Sequence, residues 1–78
     1  MSALIASWAG LEAGERKARL RALAGLAHAF IGHEAAALAV LLREAEDDVG
    51  ALGACDAALA RLPTSRVRRA LSVLPRVL

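Results

Sequence analysis

Alanine makes up 20 of the 78 residues of this chain, and this excess is the feature that most restricts its fold. Alanine favours helix strongly but buries little apolar area. The larger apolar side chains are 14 Leu, 5 Val and 2 Ile, with one each of Met, Phe, Trp and Cys. A chain of this length buries only about 60% of its unfolded surface. We therefore predict a single all-α domain over residues 1–78, with few bulky side chains to stabilise it alone.

Apolar residues recur at spacings of three and four, which is typical of amphipathic helices. The pattern predicts a short first helix around Trp8, capped by Ser2. A second helix runs over about 13–30 and stops at Gly32. This second helix also carries a row of small residues, which predicts the close approach of a neighbouring helix: Ala18, Ala22, Gly25 and Ala29.

The segment 33–62 has two interpretations. Its apolar positions keep a spacing of three and four, interrupted only at Asp48, which fits one helix of about 30 residues. The alternative, which we favour, is two helices broken near 47–48, with an Asp capping the second one. Pro63 ends the segment, Thr64 caps a last helix and Pro75 closes it. The expected architecture is a small bundle of four to five short helices in hairpin-like antiparallel packing.

Charge is divided unevenly, although the net charge is only +2. Residues 43–56 have a net charge of −4, whereas residues 61–78 carry five Arg and no acid. We call four of the acidic residues the acidic patch: Glu44, Glu46, Asp47 and Asp48. Opposed charges of this kind suit either closure within one chain or head-to-tail pairing of two chains.

The arginines of the last helix are the first candidate for a binding surface. Arg66, Arg68 and Arg69 lie in its first turns, where cations oppose the helix dipole, so helix stability does not explain them. Arg66, Arg69 and Arg76 share one side of the helix. They are expected to meet the acidic patch, an acidic partner, phosphates or only solvent. Trp8 is either a core residue or an anchor at an interface, where aromatic residues are enriched.

A metal, a cofactor and catalysis are not predicted. His28, His33 and Glu34 form the one metal-like cluster, but a spacing of five residues turns the two imidazoles about 140° apart on a helix. No nucleophile–base–acid set stands out, so we expect no enzyme. Cys55 lies on an apolar seam beside Asp56 and is interpreted as a packed thiol. A single cysteine fits a reducing compartment, which predicts a cytoplasmic location.

These features favour a small helical module for protein–protein interaction, acting by helix packing and charge complementarity. An adaptor, an assembly chaperone and a regulatory subunit all fit, and the partner is another protein or a second copy. The alternative is a nucleic-acid-binding regulator that uses the C-terminal arginines. The run ALARLPTSRVRRALSVL resembles a DNA-binding helix-turn-helix over less than a quarter of the chain, without the usual glycine in the turn. The apolar run 22–42 is interrupted by Glu34, so no membrane span is expected.

Overall fold

The elements of the fold are short helices joined by tight turns. A computed structural model describes the backbone of residues 4–77 and the side chains of residues 4–72. Its α-helices are α1 (Ala13–Phe30), α2 (Ala36–Ala45), α3 (Leu52–Ala60) and α4 (Thr64–Val77). Three 3₁₀ helices precede α1, α2 and α3, at Ala6–Gly10, Gly32–Ala35 and Val49–Ala51. The prediction of a small all-α bundle is confirmed.

Helix α1 has the bounds that the sequence predicts, because both of its ends have local signals. The Glu12 carboxylate accepts a hydrogen bond from the Gly14 amide at 2.9 Å and caps the N-terminus. At the other end Gly32 has φ +79°, a conformation that glycine adopts without strain. The apolar run 22–42 is thereby divided between α1 and α2. No helix among the described residues is long and apolar enough to cross a membrane.

The structure confirms the break in the segment 33–62. Helix α2 ends at Ala45, and α3 begins at Leu52 after a short 3₁₀ helix. The Asp48 carboxylate accepts a hydrogen bond from the Gly50 amide at 3.0 Å, so Asp48 is the cap of that 3₁₀ helix. The acidic residue that interrupts the apolar pattern therefore lies in the break and caps the 3₁₀ helix that leads into α3, whereas α3 itself has no side-chain cap.

Two details predicted for the last helix are wrong. Thr64 is the first residue of α4 rather than its cap, and the Pro63 carbonyl accepts the first hydrogen bond, from the Val67 amide at 3.0 Å. Pro75 does not close the helix, which continues to Val77. Proline lacks the amide that would bond the carbonyl four residues back, so the helix continues past Pro75 without that hydrogen bond.

The first helix also differs from its prediction. A 3₁₀ helix begins only at Ala6, and Ile5 stands at the cap position without a side-chain hydrogen bond of its own. Ser2, the predicted cap, lies outside the described residues. The amides at this end are instead satisfied by a carboxylate from α3, described below.

The core lies where α1 and α2 face each other and their neighbours. Helix α1 packs against α2 and α4, α2 also packs against α3, and the N-terminal 3₁₀ helix packs against α3. Helix α4 therefore lies on α1, and it makes little contact with α3 beyond the turn that joins them. The fully buried large side chains are Ile5, Leu20, Leu23, Leu38, Leu42, Leu52 and Cys55.

The row of small residues on α1 faces away from this core. Ala18, Gly25 and Ala29 are exposed, and only Ala22 is half-buried. A Cβ added at Gly25 would meet nothing within 4 Å. The prediction that a neighbouring helix crosses this row is therefore wrong for the described part of the chain. Burial of the leucine side of α1 removes more apolar area from water, and this orients the small residues outwards.

Candidate functional site

An apolar groove lies between α3 and α4, where the two helices separate after their connecting turn. Its volume is about 260 Å³. The groove, called the α3–α4 groove below, is lined by Asp56, Leu59, Ala60, Leu62, Thr64, Val67 and Leu71. It is smaller than the ~300–1,000 Å³ that is typical of small-molecule sites. Its size and apolar walls suit one or two side chains of a partner.

Asp56 is the one charged residue that lines the groove, and its charge is already satisfied. One carboxylate oxygen accepts a hydrogen bond from the Ile5 amide at 3.0 Å, and the other accepts one from the Ala6 amide at 2.7 Å. Asp56 thus caps the N-terminal 3₁₀ helix from across the fold, where the sequence suggested Ser2. A ligand in the groove therefore meets mainly apolar side chains rather than a free carboxylate.

Arg68 is not part of the groove lining, but its position on α4 places it next to two residues that are, Thr64 and Leu71. It follows Thr64 by four residues and precedes Leu71 by three, and residues at these spacings lie on the same side of a helix. Arg68 is exposed, and it has no ion pair among the residues with described side chains. Arg69 is also exposed, but it lies about 100° further round the helix, away from the groove.

Arg66 holds α4 against the end of α1, so its side chain is less available to a partner than that of Arg68. Its guanidinium contacts the Glu34 carboxylate at 2.6 Å and donates to the Ile31 carbonyl at 3.2 Å. Ile31 is the cap residue at the C-terminus of α1, where a cation is favourable. The unfavourable position of Arg66 near the start of α4 is therefore offset by a favourable one at the end of α1.

The acidic patch is partly neutralised by α1 and not by the C-terminal arginines. Arg21 contacts Glu46 at 2.9 Å, and Lys17 contacts Asp47 at 3.4 Å. Closure of the chain by pairs between this patch and Arg66, Arg68 or Arg69 is not observed among the described side chains. The Arg76 side chain lies outside them.

The other cations of α1 are also engaged within the chain. Arg16 donates to the Leu11 carbonyl at 3.0 Å, and Arg19 contacts Glu15 at 3.2 Å. Because Lys17 and Arg21 pair with the acidic patch, α1 does not present a run of free cations. Among the described side chains, the exposed cations without an ion pair are Arg43 on α2 and a group around the turn before α4 and on α4 itself, at Arg61, Arg68 and Arg69.

Trp8 is a core residue. It is 3% exposed and belongs to the same buried cluster as the leucines of α1 and α2. The Arg19 guanidinium lies 6.0 Å from the centre of its ring, at the outer limit of a cation–π contact. The core interpretation is confirmed, and a partner would reach Trp8 only after displacement of the N-terminal 3₁₀ helix.

The two histidines lie on the surface. His28 and His33 are exposed and line a shallow depression of about 310 Å³, whose other walls are glycine and alanine. Glu34, the third member of the cluster, pairs with Arg66. Among the described residues, no three His, Cys, Asp or Glu side chains are placed so that they could hold a metal ion.

Cys55 is a fully buried thiol. Burial, together with the nearby negative charges of Asp56 and Glu44, raises its pKa from the ordinary value of 9.0 to about 11. Since the thiolate is the nucleophile, a raised pKa and burial together make this cysteine unreactive. The interpretation of Cys55 as a packed thiol is confirmed.

We expect Cys55 in the folded protein to react with Ellman's reagent at pH 8 at least about 100-fold more slowly than in urea. The shift in pKa alone lowers the thiolate fraction by about this factor, and burial slows the reaction further. Absorbance of the released thiol measures both rates. Equal rates in the folded and the unfolded protein would show that the thiol is accessible.

The same pKa predicts how stability depends on pH. The folded state holds the thiol proton more tightly than the unfolded state does, so this contribution is complete below pH 9. It is lost as the pH rises from about 9 to about 11, and it amounts to roughly 1–3 kcal/mol. Urea unfolding at pH 8 and at pH 10.5 measures the loss. The free energy of unfolding of a Cys55→Ala variant should fall less between these two pH values.

Comparison with known proteins adds no identification. No protein-family model matches the chain, and no curated protein or solved structure matches it significantly. The features that bear on its class are therefore structural. They are the α3–α4 groove, the arginine beside it and the pairing of the other charges.

Proposed function

We propose that this chain is a helical protein–protein interaction module that binds an apolar segment with acidic neighbours in its α3–α4 groove. The observation that carries the proposal is the juxtaposition of an apolar groove with Arg68 beside it. The apolar walls supply affinity through burial. The arginine supplies orientation and selects for acidic partners. In this role the chain acts without catalysis, in a reducing compartment such as the cytoplasm.

The charge around the groove supports an acidic partner. Asp56 is occupied by two backbone amides, so its carboxylate does not repel an incoming acid as strongly as a free one would. Arg61 stands in the turn between α3 and α4, and Arg68 follows one helical turn into α4; both are exposed. A partner that places an apolar side chain against Leu62 and Val67 would bring its neighbouring acidic groups close to these cations.

A comparative peptide selection tests this proposal. A random peptide library is selected in parallel on the wild-type protein and on an Arg68→Glu variant. We expect peptides with apolar and acidic residues that bind wild type and lose at least about tenfold in affinity on the variant. Amide chemical shifts should change on binding at Leu59, Leu62, Val67 and Leu71.

An Arg69→Glu variant is the matched control, because it makes the same change in net charge on the side of α4 away from the groove. It should retain most of the binding. The proposal would be contradicted if the selected peptides bind wild type and Arg68→Glu equally well. It would also be contradicted if they bind outside the groove.

Among the described side chains, the C-terminal cations left for the nucleic-acid alternative are Arg61, Arg68 and Arg69. Their number is small, because Arg66 and the cations of α1 are engaged within the chain. Binding through phosphates would show a steep loss of affinity with salt. A gel shift with duplex and single-stranded DNA at about 50 mM salt decides this alternative. No shift there would leave the interaction module as the proposal.

A further inference from the structure

Three large apolar side chains are exposed in the described part of the chain: Phe30, Val40 and Val49. They differ in the charges around them. Phe30 has no acidic residue within three positions in sequence, and Val40 lies three residues before Arg43. Val49 directly follows Asp47 and Asp48 and has no cation within five residues in sequence. Among these three residues, Val49 therefore matches an acidic, apolar ligand best.

Val49 is held in a defined position. It is the first residue of the 3₁₀ helix Val49–Ala51 and is 44% exposed. The Asp48 side chain fixes the start of this helix by accepting a hydrogen bond from the Gly50 amide. We call this segment, from Glu46 to Ala51, the Val49 turn. A turn that is ordered before binding loses less conformational entropy when it binds.

The surface around the Val49 turn is acidic even after its internal ion pairs are counted. The acidic patch carries four negative charges, and Lys17 and Arg21 neutralise two of them. Glu44 and Asp48 are exposed and have no ion pair among the described side chains. Arg43, directly before Glu44, is exposed, so residues 43–48 together with Lys17 and Arg21 keep a net charge of −1. An exposed valine thus stands beside a weakly acidic surface, and an apolar groove elsewhere stands beside Arg68.

We propose that the occupant of the α3–α4 groove is the Val49 turn of a second copy of this chain. Val49 enters between α3 and α4, and Asp48, the acid of the same turn without an ion pair, faces Arg68. The inference rests on the proposed function, because it names the partner of the groove described there. Val49 does not line the groove of its own chain, which makes the contact intermolecular.

The two surfaces of this contact are different, so the association is head-to-tail. When the turn of one copy fills the groove of the next, the contacts continue into chains or closed rings, of which a reciprocal pair is the smallest. One valine and a few charges make an interface well below ~1,000 Å², which is the size of a weak and transient contact. The association should therefore depend steeply on protein concentration and on salt.

Sedimentation equilibrium of the full chain over a range of concentrations measures this association. We expect Val49→Ser to weaken it by about threefold to tenfold, because the valine is only partly buried before binding. Arg68→Glu should weaken it by about tenfold or more, because it places like charges together. Val40→Ser and Arg69→Glu are the matched controls and should associate as wild type does.

Mixing the two impaired variants gives the sharpest test. Val49→Ser keeps an intact groove, and Arg68→Glu keeps an intact turn. An equimolar mixture should form one defined 1:1 dimer, although neither variant associates strongly alone. Thermal melts followed by circular dichroism should be unchanged, since both positions are exposed.

The outcomes separate this inference from the proposed function. If the mixture stays monomeric while selected peptides still bind the groove, the second copy is not the partner and the interaction module stands. A two-fold dimer that both variants leave intact would also overturn the inference. If neither the second copy nor any peptide occupies the groove, both proposals fail.

Discussion

Replacing Asp56 with alanine is expected to lower the free energy of unfolding by about 2–4 kcal/mol, more than any other single loss of a polar group in this chain. The change removes two hydrogen bonds to a carboxylate and leaves the Ile5 and Ala6 amides without their partner. Ile5 is fully buried, so its amide has no simple route to water. The N-terminal 3₁₀ helix, which carries Trp8, would lose its attachment to α3.

Urea unfolding followed by tryptophan fluorescence measures this loss, because Trp8 is the one tryptophan and lies in the affected element. Asp48→Ala is the matched control, since it also removes an acid that accepts a backbone hydrogen bond, but within its own turn. A local cap of this kind contributes about 1 kcal/mol. An Asp56→Ala variant no less stable than Asp48→Ala would show that the contact across the fold contributes little.

The elements that the sequence predicts well are those with local signals. The bounds of α1 follow from the spacing of its leucines and from Gly32, and the break before α3 follows from Asp48 and the glycine after it. Each of these signals acts within a few residues, so a periodic pattern and a cap are sufficient to place them.

The contacts that build the candidate site depend on topology instead. Asp56 binds amides about fifty residues earlier in the chain, and Arg66 reaches the end of α1 across 35 residues. A pattern of apolar residues predicts that α4 packs, but it does not state that α4 packs on α1. The α3–α4 groove exists because α4 packs on α1 and makes little contact with α3. No local sequence signal predicts this arrangement.

For the charged residues too, the sequence shows where the charges lie but not which of them form pairs in the fold. The excess of acid near 44–48 and of arginine after 61 is visible in the sequence. The partners of these charges are not visible there, because Lys17 and Arg21 reach the acidic patch only when α1 and the end of α2 lie side by side. With Arg66 paired to Glu34, the exposed arginines around α4 without an ion pair among the described side chains are Arg61, Arg68 and Arg69.

The largest single loss of stability is expected for Leu42→Ala, at about 3–4 kcal/mol. Leu42 is 1% exposed, and its side chain belongs to the core between α1, α2 and α3. Alanine is a better helix former than leucine, so the cost comes from lost packing and not from the helix. Much of the chain's apolar content is alanine, which leaves few large side chains to compensate for the cavity.

Leu41→Ala is the matched control, because it makes the same chemical change one residue away at a half-buried position. It should cost about 1 kcal/mol, since less of its side chain leaves water on folding. A domain of this size has a total stability of about 4–12 kcal/mol, so the loss of Leu42 should move the midpoint of urea unfolding far more than the loss of Leu41 does. Equal midpoints for the two variants would mean that α2 is rotated about its axis relative to the core. The exposed positions on α2, including Val40, would then be assigned wrongly.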